Sequence, residues 1–103
     1  MSASLYDVLG LGNAIVDIIG QADDAFLVHE GLAKGTMVLI DQPRADYLCG
    51  VMGAATTVSG GSAANTIVGA AALGSRTAFI GKVGADELGR VFTHDIRAIG
   101  VHF

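Results

Sequence analysis

"SGGSAANTIVGAAALG", Ser59 to Gly74, is the stretch where the chain strips side chains from its backbone. Two glycines, Gly60 and Gly61, precede Ser62, two alanines and Asn65, and a run of small residues then ends at Gly74. Thr56 to Ser59 reads as a short strand, and Ser62 to Leu73 as a helix that Gly74 stops. Glycines between a strand and a helix permit positive φ and let another group touch the main chain. The helix that follows offers unpaired N–H groups and the positive end of its dipole. Ser62 and Asn65 stand in its first turn, where a hydroxyl and an amide reach a polar ligand. Ala63, Ala64, Gly69, Ala70, Ala71 and Ala72 predict a helix packed tightly on a sheet. The plainer reading is a strand-to-helix turn, because a short glycine cluster is weak evidence of a ligand.

Working outward, Leu5 to Gly12 reads as a strand buried on both faces, and Ala14 to Ile19 continues in β character. Asp23-Asp24 caps a short helix or turn reaching Leu32. Thr36 to Ile40, TMVLI, reads as a strand bounded by Gly35 and Asp41. Asp41-Gln42-Pro43 starts a helix, with Pro43 in the first turn where a missing N–H costs nothing. That helix repeats Ala45, Leu48, Cys49 and Met52 on one face, which predicts a core position for Cys49. Arg76 to Val83 is another strand, interrupted by Lys82. Asp86 caps a last helix striped with Leu88, Val91, Phe92, Ile96 and Ile99. Gly100 ends it, and Val101-His102-Phe103 begins a further extended segment. Strand–helix alternation predicts an α/β fold with a largely parallel sheet.

A second constellation is "GLGNAIVDII", Gly10 to Ile19. Asp17 sits among Ile15, Val16, Ile18 and Ile19, and a buried carboxylate needs donors from the protein or a ligand. On an extended chain Asn13 and Asp17 share a face, about 13 Å apart. A nucleoside bridges such a gap more readily than a monosaccharide. The alternative is that Asp17 emerges at a strand end and is solvated or caps a turn. Gly10-x-Gly12 also invites a dinucleotide-binding α/β domain, but the third glycine position is Ile15 and no helix pattern opens there.

Composition bounds the function. The chain has 103 residues, 6 basic and 10 acidic, with a formal charge of -4. That gives no electrostatic footprint for nucleic acid and no polybasic patch for a membrane. The single cysteine excludes an internal disulfide and fits a reducing compartment. The MSASLYD start has no charged region followed by an apolar one, so no signal peptide is expected. Thr66 to Gly74, the most apolar stretch, is too short to span a bilayer. Charged residues are 16%, against about 25% in average soluble chains. So small and apolar a chain is expected to hide a face against something else, as one piece of a larger protein. The competing expectation is a glycine-rich core with a dry interior. His29, His94 and His102 show no metal-ligand spacing.

Taken together, these motifs carry a family resemblance. "GGSAANTIVGAAALGSRTAFIGKVGADELG", Gly60 to Gly89, resembles the first signature of ribokinase-like (PfkB) carbohydrate kinases. It has the glycine pair, the asparagine, the small-residue helix and a strand leading to Gly84-Ala85-Asp86-Glu87-Leu88-Gly89. "GLGNAIVDI" resembles the opening strand of the nucleoside-type, adenosine kinase-like members, and "KGTMVLID" their lid-strand region. The resemblance runs from Tyr6 to Phe103. It implies part of a doubly wound α/β sheet with a small β lid. Residues 1–103 would be the N-terminal portion of the kinase domain, the acceptor-sugar half with lid strands.

The implied reaction moves the γ-phosphate of ATP, with Mg²⁺, to the primary hydroxyl of a sugar or nucleoside. The implied substrate-binding residues are Asn13, Asp17, Gly60, Gly61 and Asn65. The family's general base, its anion hole and most of its nucleotide site match no position of this sequence. No catalytic residue or metal ligand is therefore assigned, and the 103 residues alone are expected to be inactive. Asp86 is read as the helix cap and not as the base. The resemblance also implies a cytoplasmic setting and allows a homodimer through the lid strands. Two other classes stand beside this one: a non-catalytic or partner-dependent ligand-binding fragment, and the dinucleotide-binding domain.

Overall fold

The computed structural model describes residues 4–103; the first three residues, part of the MSASLYD start, lie outside them. In chain order the elements are β1 (Val8–Leu11), β2 (Ile15–Gly20), α1 (Asp24–His29), α2 (Gln42–Val51), β3 (Ala55–Gly60), α3 (Ser62–Ala72), β4 (Thr77–Ile80) and α4 (Glu87–Ala98). β1 pairs with β4, and β2 with β3, as two separate sheets. The expected α/β class is what forms. The chain divides into two compact units, one of Val58–Phe103 with the chain up to Asp17, the other Ile18–Thr57.

In the first unit β1 and β4 run parallel, Val8 opposite Thr77 through Leu11 opposite Ile80. Parallel neighbours need a crossover, and α3 precedes β4 and lies on both strands. Its approach depends on missing side chains. A Cβ on Gly10 would stand 2.5 Å from the Ile67 side chain, and one on Gly12 2.8 Å from the Ala63 methyl. Ala64 and Ile67 therefore reach the core, beside Phe79, Phe92, Ile96 and Val101. The aromatic rings close that core, Phe92 meeting Phe103 edge-on at 5.3 Å. The expectation that all the small residues of α3 pack inward holds only in part. Gly69 faces open space and Ala72 is exposed, because a helix turns only one stripe to a sheet.

β4 ends at Ile80, short of the predicted Val83, so Lys82 lies beyond the strand and is exposed. On the other edge of β4, Ala78 forms an isolated parallel bridge with His102, the Phe79 N–H donating to the His102 carbonyl at 2.9 Å and the His102 N–H to the Thr77 carbonyl at 3.0 Å. α4 begins as expected, with the Asp86 carboxylate accepting from the Gly89 N–H at 2.8 Å. A Cβ on Gly89 would run into the Gly84 carbonyl. The glycines and aspartate of "GADELG" are thus explained by one tight capped turn. Phe92 and Ile96 bury the stripe's centre, while Leu88 and Ile99 stay at its exposed rim.

In the second unit Asp23 caps α1 and Asp41 caps α2, with Pro43 in the first turn of α2. Glu30 links the two helices: its carboxylate accepts from the Tyr47 hydroxyl at 3.0 Å and stands 3.5 Å from the Arg44 guanidinium. Burial pushes that carboxyl up, but bonds to His29 and Tyr47 outweigh it and hold it below the usual range. Two expectations fail here. Thr36–Ile40 forms no strand, since β-branched and aliphatic residues make one only where a partner supplies the ladder. Cys49 is exposed, not core, because the Ala45, Leu48, Cys49 and Met52 face buries no residue fully.

Candidate functional site

The connection between β3 and α3 is the glycine pair. Gly60 ends β3 and is buried; Gly61 is the N-cap of α3, at φ +105°, and no side chain caps that helix. A Cβ on Gly61 would stand 2.5 Å from the Asn13 carbonyl oxygen. Glycine is required there by the chain's own close approach as well as by the left-handed φ. Gly60 differs. Its missing side chain leaves a place that Asp17 Oδ2 and Asn65 Nδ2 each approach to 3.9 Å, with Asn65 Oδ1 at 4.0 Å. A carboxylate and an amide thus converge on one bare point of the main chain.

Each side chain arrives there by a short local route. Asp17 is on β2, whose residues alternate: Val16 and Ile18 are half-buried while Ile15, Asp17 and Ile19 are exposed. The expected burial of Asp17 is therefore corrected. Its aliphatic neighbours in sequence lie on both faces of a strand with one partner, so they do not enclose it. No hydrogen bond reaches its carboxylate from the described residues. Asn65 is in the first turn of α3, its N–H donating to the Gly61 carbonyl at 2.7 Å and its side chain exposed. Asn13 lies between β1 and β2, not in one extended strand with Asp17, so their 13 Å spacing along a straight strand does not apply. It is the Asn13 carbonyl, not its amide, that is placed against the glycine pair.

Chemically the site offers an acceptor-only carboxylate and an amide that both donates and accepts, a pairing suited to vicinal hydroxyls. It offers no cationic group. Among the described residues no three His, Cys, Asp or Glu gather to hold a metal ion, so these residues do not fit a Mg²⁺ site. Gly10-Leu-Gly12 runs into β2 and opens no helix, and Gly10 and Gly12 are used against α3, which removes the dinucleotide reading. An open cavity of about 670 Å³ lies elsewhere, along α4 between Val83, Asp86 and Arg97. Its cations are already engaged, Arg90 by Glu87 and Arg97 by the Phe103 carbonyl. No described helix is long and apolar enough to cross a membrane. One contact next to the site had no signal in the sequence: Ser59 donates to Asp95, 36 positions away.

A family model, the pfkB family carbohydrate kinases, matches residues 36–103. Among solved structures, adenosine kinase from Sinorhizobium meliloti is 58% identical over 97% of this chain, with a TM-score of 0.77. A probable sugar kinase protein from Rhizobium etli is 53% identical over 97% of the chain, also with a TM-score of 0.77. Adenosine kinase from Schistosoma mansoni, in complex with adenosine and AMP, is 24% identical with a TM-score of 0.71, a likeness of fold alone. The chain spans about a third of those proteins' length: 31%, 30% and 30%. No curated protein sequence matches it. The family model covers the glycine pair, Asn65 and the capped turn at Asp86, and on that match the chain belongs to the pfkB family of carbohydrate kinases.

Proposed function

We propose that this chain supplies the acceptor-binding part of an ATP-dependent kinase, which phosphorylates the primary hydroxyl of a nucleoside or sugar. The observation that carries the reading is the convergence of Asp17 and Asn65 on the bare Gly60 backbone. Asp17 accepts hydrogen bonds from two ring hydroxyls. Asn65 donates to one and accepts from another. Gly60 lets the sugar ring lie against the main chain, where any side chain would fill the gap. The exposure of Asp17 suits this role, since an unliganded carboxylate stays solvated until hydroxyls replace water.

Residues 1–103 are the acceptor half, and the nucleotide, its Mg²⁺ and the general base are contributed by sequence matching the rest of the family's length. Phosphoryl transfer is then mainly positioning and charge neutralisation around the γ-phosphate. These residues do the first of those tasks, for the acceptor. The likeness to an adenosine kinase supports a nucleoside over a free sugar. Asn13 belongs to the nucleoside version of the site, and a cytoplasmic reaction fits ATP as donor. A homodimer through the lid region is the assembly this reading allows.

The test is a kinase assay on the full-length protein with ATP, Mg²⁺ and a panel of adenosine, ribose and hexoses. Adenosine is expected to give the highest kcat/KM. A hexose preference would remove Asn13 from the site, and no ATP-dependent phosphorylation of any of these acceptors would overturn the reading.

A further inference from the structure

We propose that Asp95 is a positioning residue for the acceptor site, holding the Gly60–Gly61 turn through Ser59; this rests on the reading of that site given above. Ser59 and Gly60 are consecutive in β3, so their side-chain directions are opposite. The bare side of Gly60 faces Asp17 and Asn65. The Ser59 hydroxyl faces the other way and donates to Asp95 Oδ2 at 2.5 Å. Asp95 is itself exposed, but it is carried by α4, whose Phe92 and Ile96 are 1% and 2% exposed, so the acceptor of this bond is anchored to the core through its helix.

The glycine pair is held by main-chain contacts alone: β3 pairs with β2, and the Asn65 N–H donates to the Gly61 carbonyl at 2.7 Å. Gly60 and Gly61 have no side chains, and the N-terminus of α3 takes no side-chain cap. The Asn13 carbonyl limits Gly61 from one side by contact only. A short bond from a hydroxyl to a carboxylate is charge-assisted and directional. It fixes the residue immediately before the turn against a rigid support. The other oxygen of Asp95 stands 3.4 Å from His94 Nδ1, which leaves Oδ2 to Ser59. Displacing Ser59 would shift Gly60 relative to Asp17 and Asn65, and hydroxyl recognition by two groups is sensitive to such a shift.

The test uses full-length protein carrying Asp95→Ala, Ser59→Ala, both together, Asp95→Asn or Ser59→Thr. Asp95→Ala and Ser59→Ala are expected to raise the acceptor KM about tenfold, equivalent to about 1.4 kcal/mol, with kcat and the ATP KM within about twofold. The double variant should be no worse than either single one, because both remove the same bond. Asn keeps an accepting oxygen and Thr keeps the hydroxyl, so those variants should recover most of the affinity. Amide hydrogen exchange at Gly60, Gly61 and Ser62, measured without acceptor, should quicken in Asp95→Ala and not in Asp95→Asn. A fall in melting temperature with acceptor KM unchanged would reduce Asp95 to a stabilising contact and overturn the proposal. If the unmutated protein phosphorylates no acceptor, the kinase reading fails, and unchanged exchange at the glycine pair would then overturn the positioning role independently.

Discussion

At Gly60 and Gly61 two adjacent residues of one type meet different surroundings. Gly60→Ala keeps ordinary backbone geometry and places its methyl where Asp17 and Asn65 converge, at van der Waals distance from both. It should fold normally and weaken acceptor binding, seen as a raised acceptor KM at an unchanged melting temperature. Gly61→Ala puts a methyl 2.5 Å from the Asn13 carbonyl at φ +105°. It should destabilise the protein by about 1–3 kcal/mol, the range for strained backbone, read by denaturant unfolding. Equal behaviour of the two variants would refute this division. Asp17→Asn keeps the size of the side chain and removes its charge. Two charge-assisted bonds at about 1.5 kcal/mol each predict a fall of about 10²-fold in acceptor kcat/KM, with ATP affinity unchanged. An unaltered kcat/KM in that variant would remove Asp17 from the site. The pairing of Asp17 with the glycines was legible only through likeness to known kinases. Nothing in residue spacing places a β2 carboxylate beside a glycine 43 positions later (60 less 17).

At the scale of elements, caps and turns were the most legible features, because each depends on residues adjacent in sequence. Asp23, Asp41 and Asp86 all cap the helices they precede. Asp86→Ala should cost about 0.5–2 kcal/mol as a lost N-cap, while leaving acceptor KM unchanged in the folded enzyme; abolished turnover in a stable Asp86→Ala protein would give Asp86 a chemical role instead. What depends on distant partners was not legible. TMVLI has the composition of a strand, yet Thr36–Ile40 finds no ladder partner among the described residues. Lys82 was placed inside a strand that stops two residues earlier. The start of the first sheet adds a pH-dependent contact. The Arg76 side chain donates to the Asp7 carboxylate at 2.9 Å, its backbone N–H at 2.8 Å, and these bonds hold the carboxyl below its usual range. A carboxyl lowered in the folded state stabilises above its ordinary range, and that contribution disappears as pH falls through the lowered value. Asp7→Asn should therefore lower the melting temperature slightly at neutral pH and converge with the unmutated protein in acid. A constant difference down to strongly acidic pH would show that the carboxylate charge is not involved.

For the molecule as a whole the decisive quantity is apolar surface left in water. The sequence predicted it from 51% hydrophobic residues in a 103-residue chain, by the argument that so small a body cannot enclose them. Leu11, Met37, Leu39 and Leu73 are 74%, 88%, 89% and 90% exposed. They come from a strand end, an irregular segment and a helix terminus, so no single local defect accounts for them. Leu9 and Leu11 in particular belong to β1, which among the described residues has β4 as its one strand partner. An open edge and an uncovered apolar face on the same strand invite association. The core beneath remains well packed, with Phe92 1% exposed, so the exposed residues are not a sign of a failed interior. Residues 1–103 prepared alone should accordingly bind an apolar fluorescent dye and self-associate with rising concentration. They should transfer no phosphate from ATP to any nucleoside, because on the proposed reading they supply the acceptor side alone. Replacing Leu9 and Leu11 by Lys should reduce the association without unfolding the core, as judged by sedimentation and by retained helical circular dichroism. A monomer that melts cooperatively and binds no dye would mean that these side chains find cover within the 103 residues, and the argument from apolar surface would then be wrong.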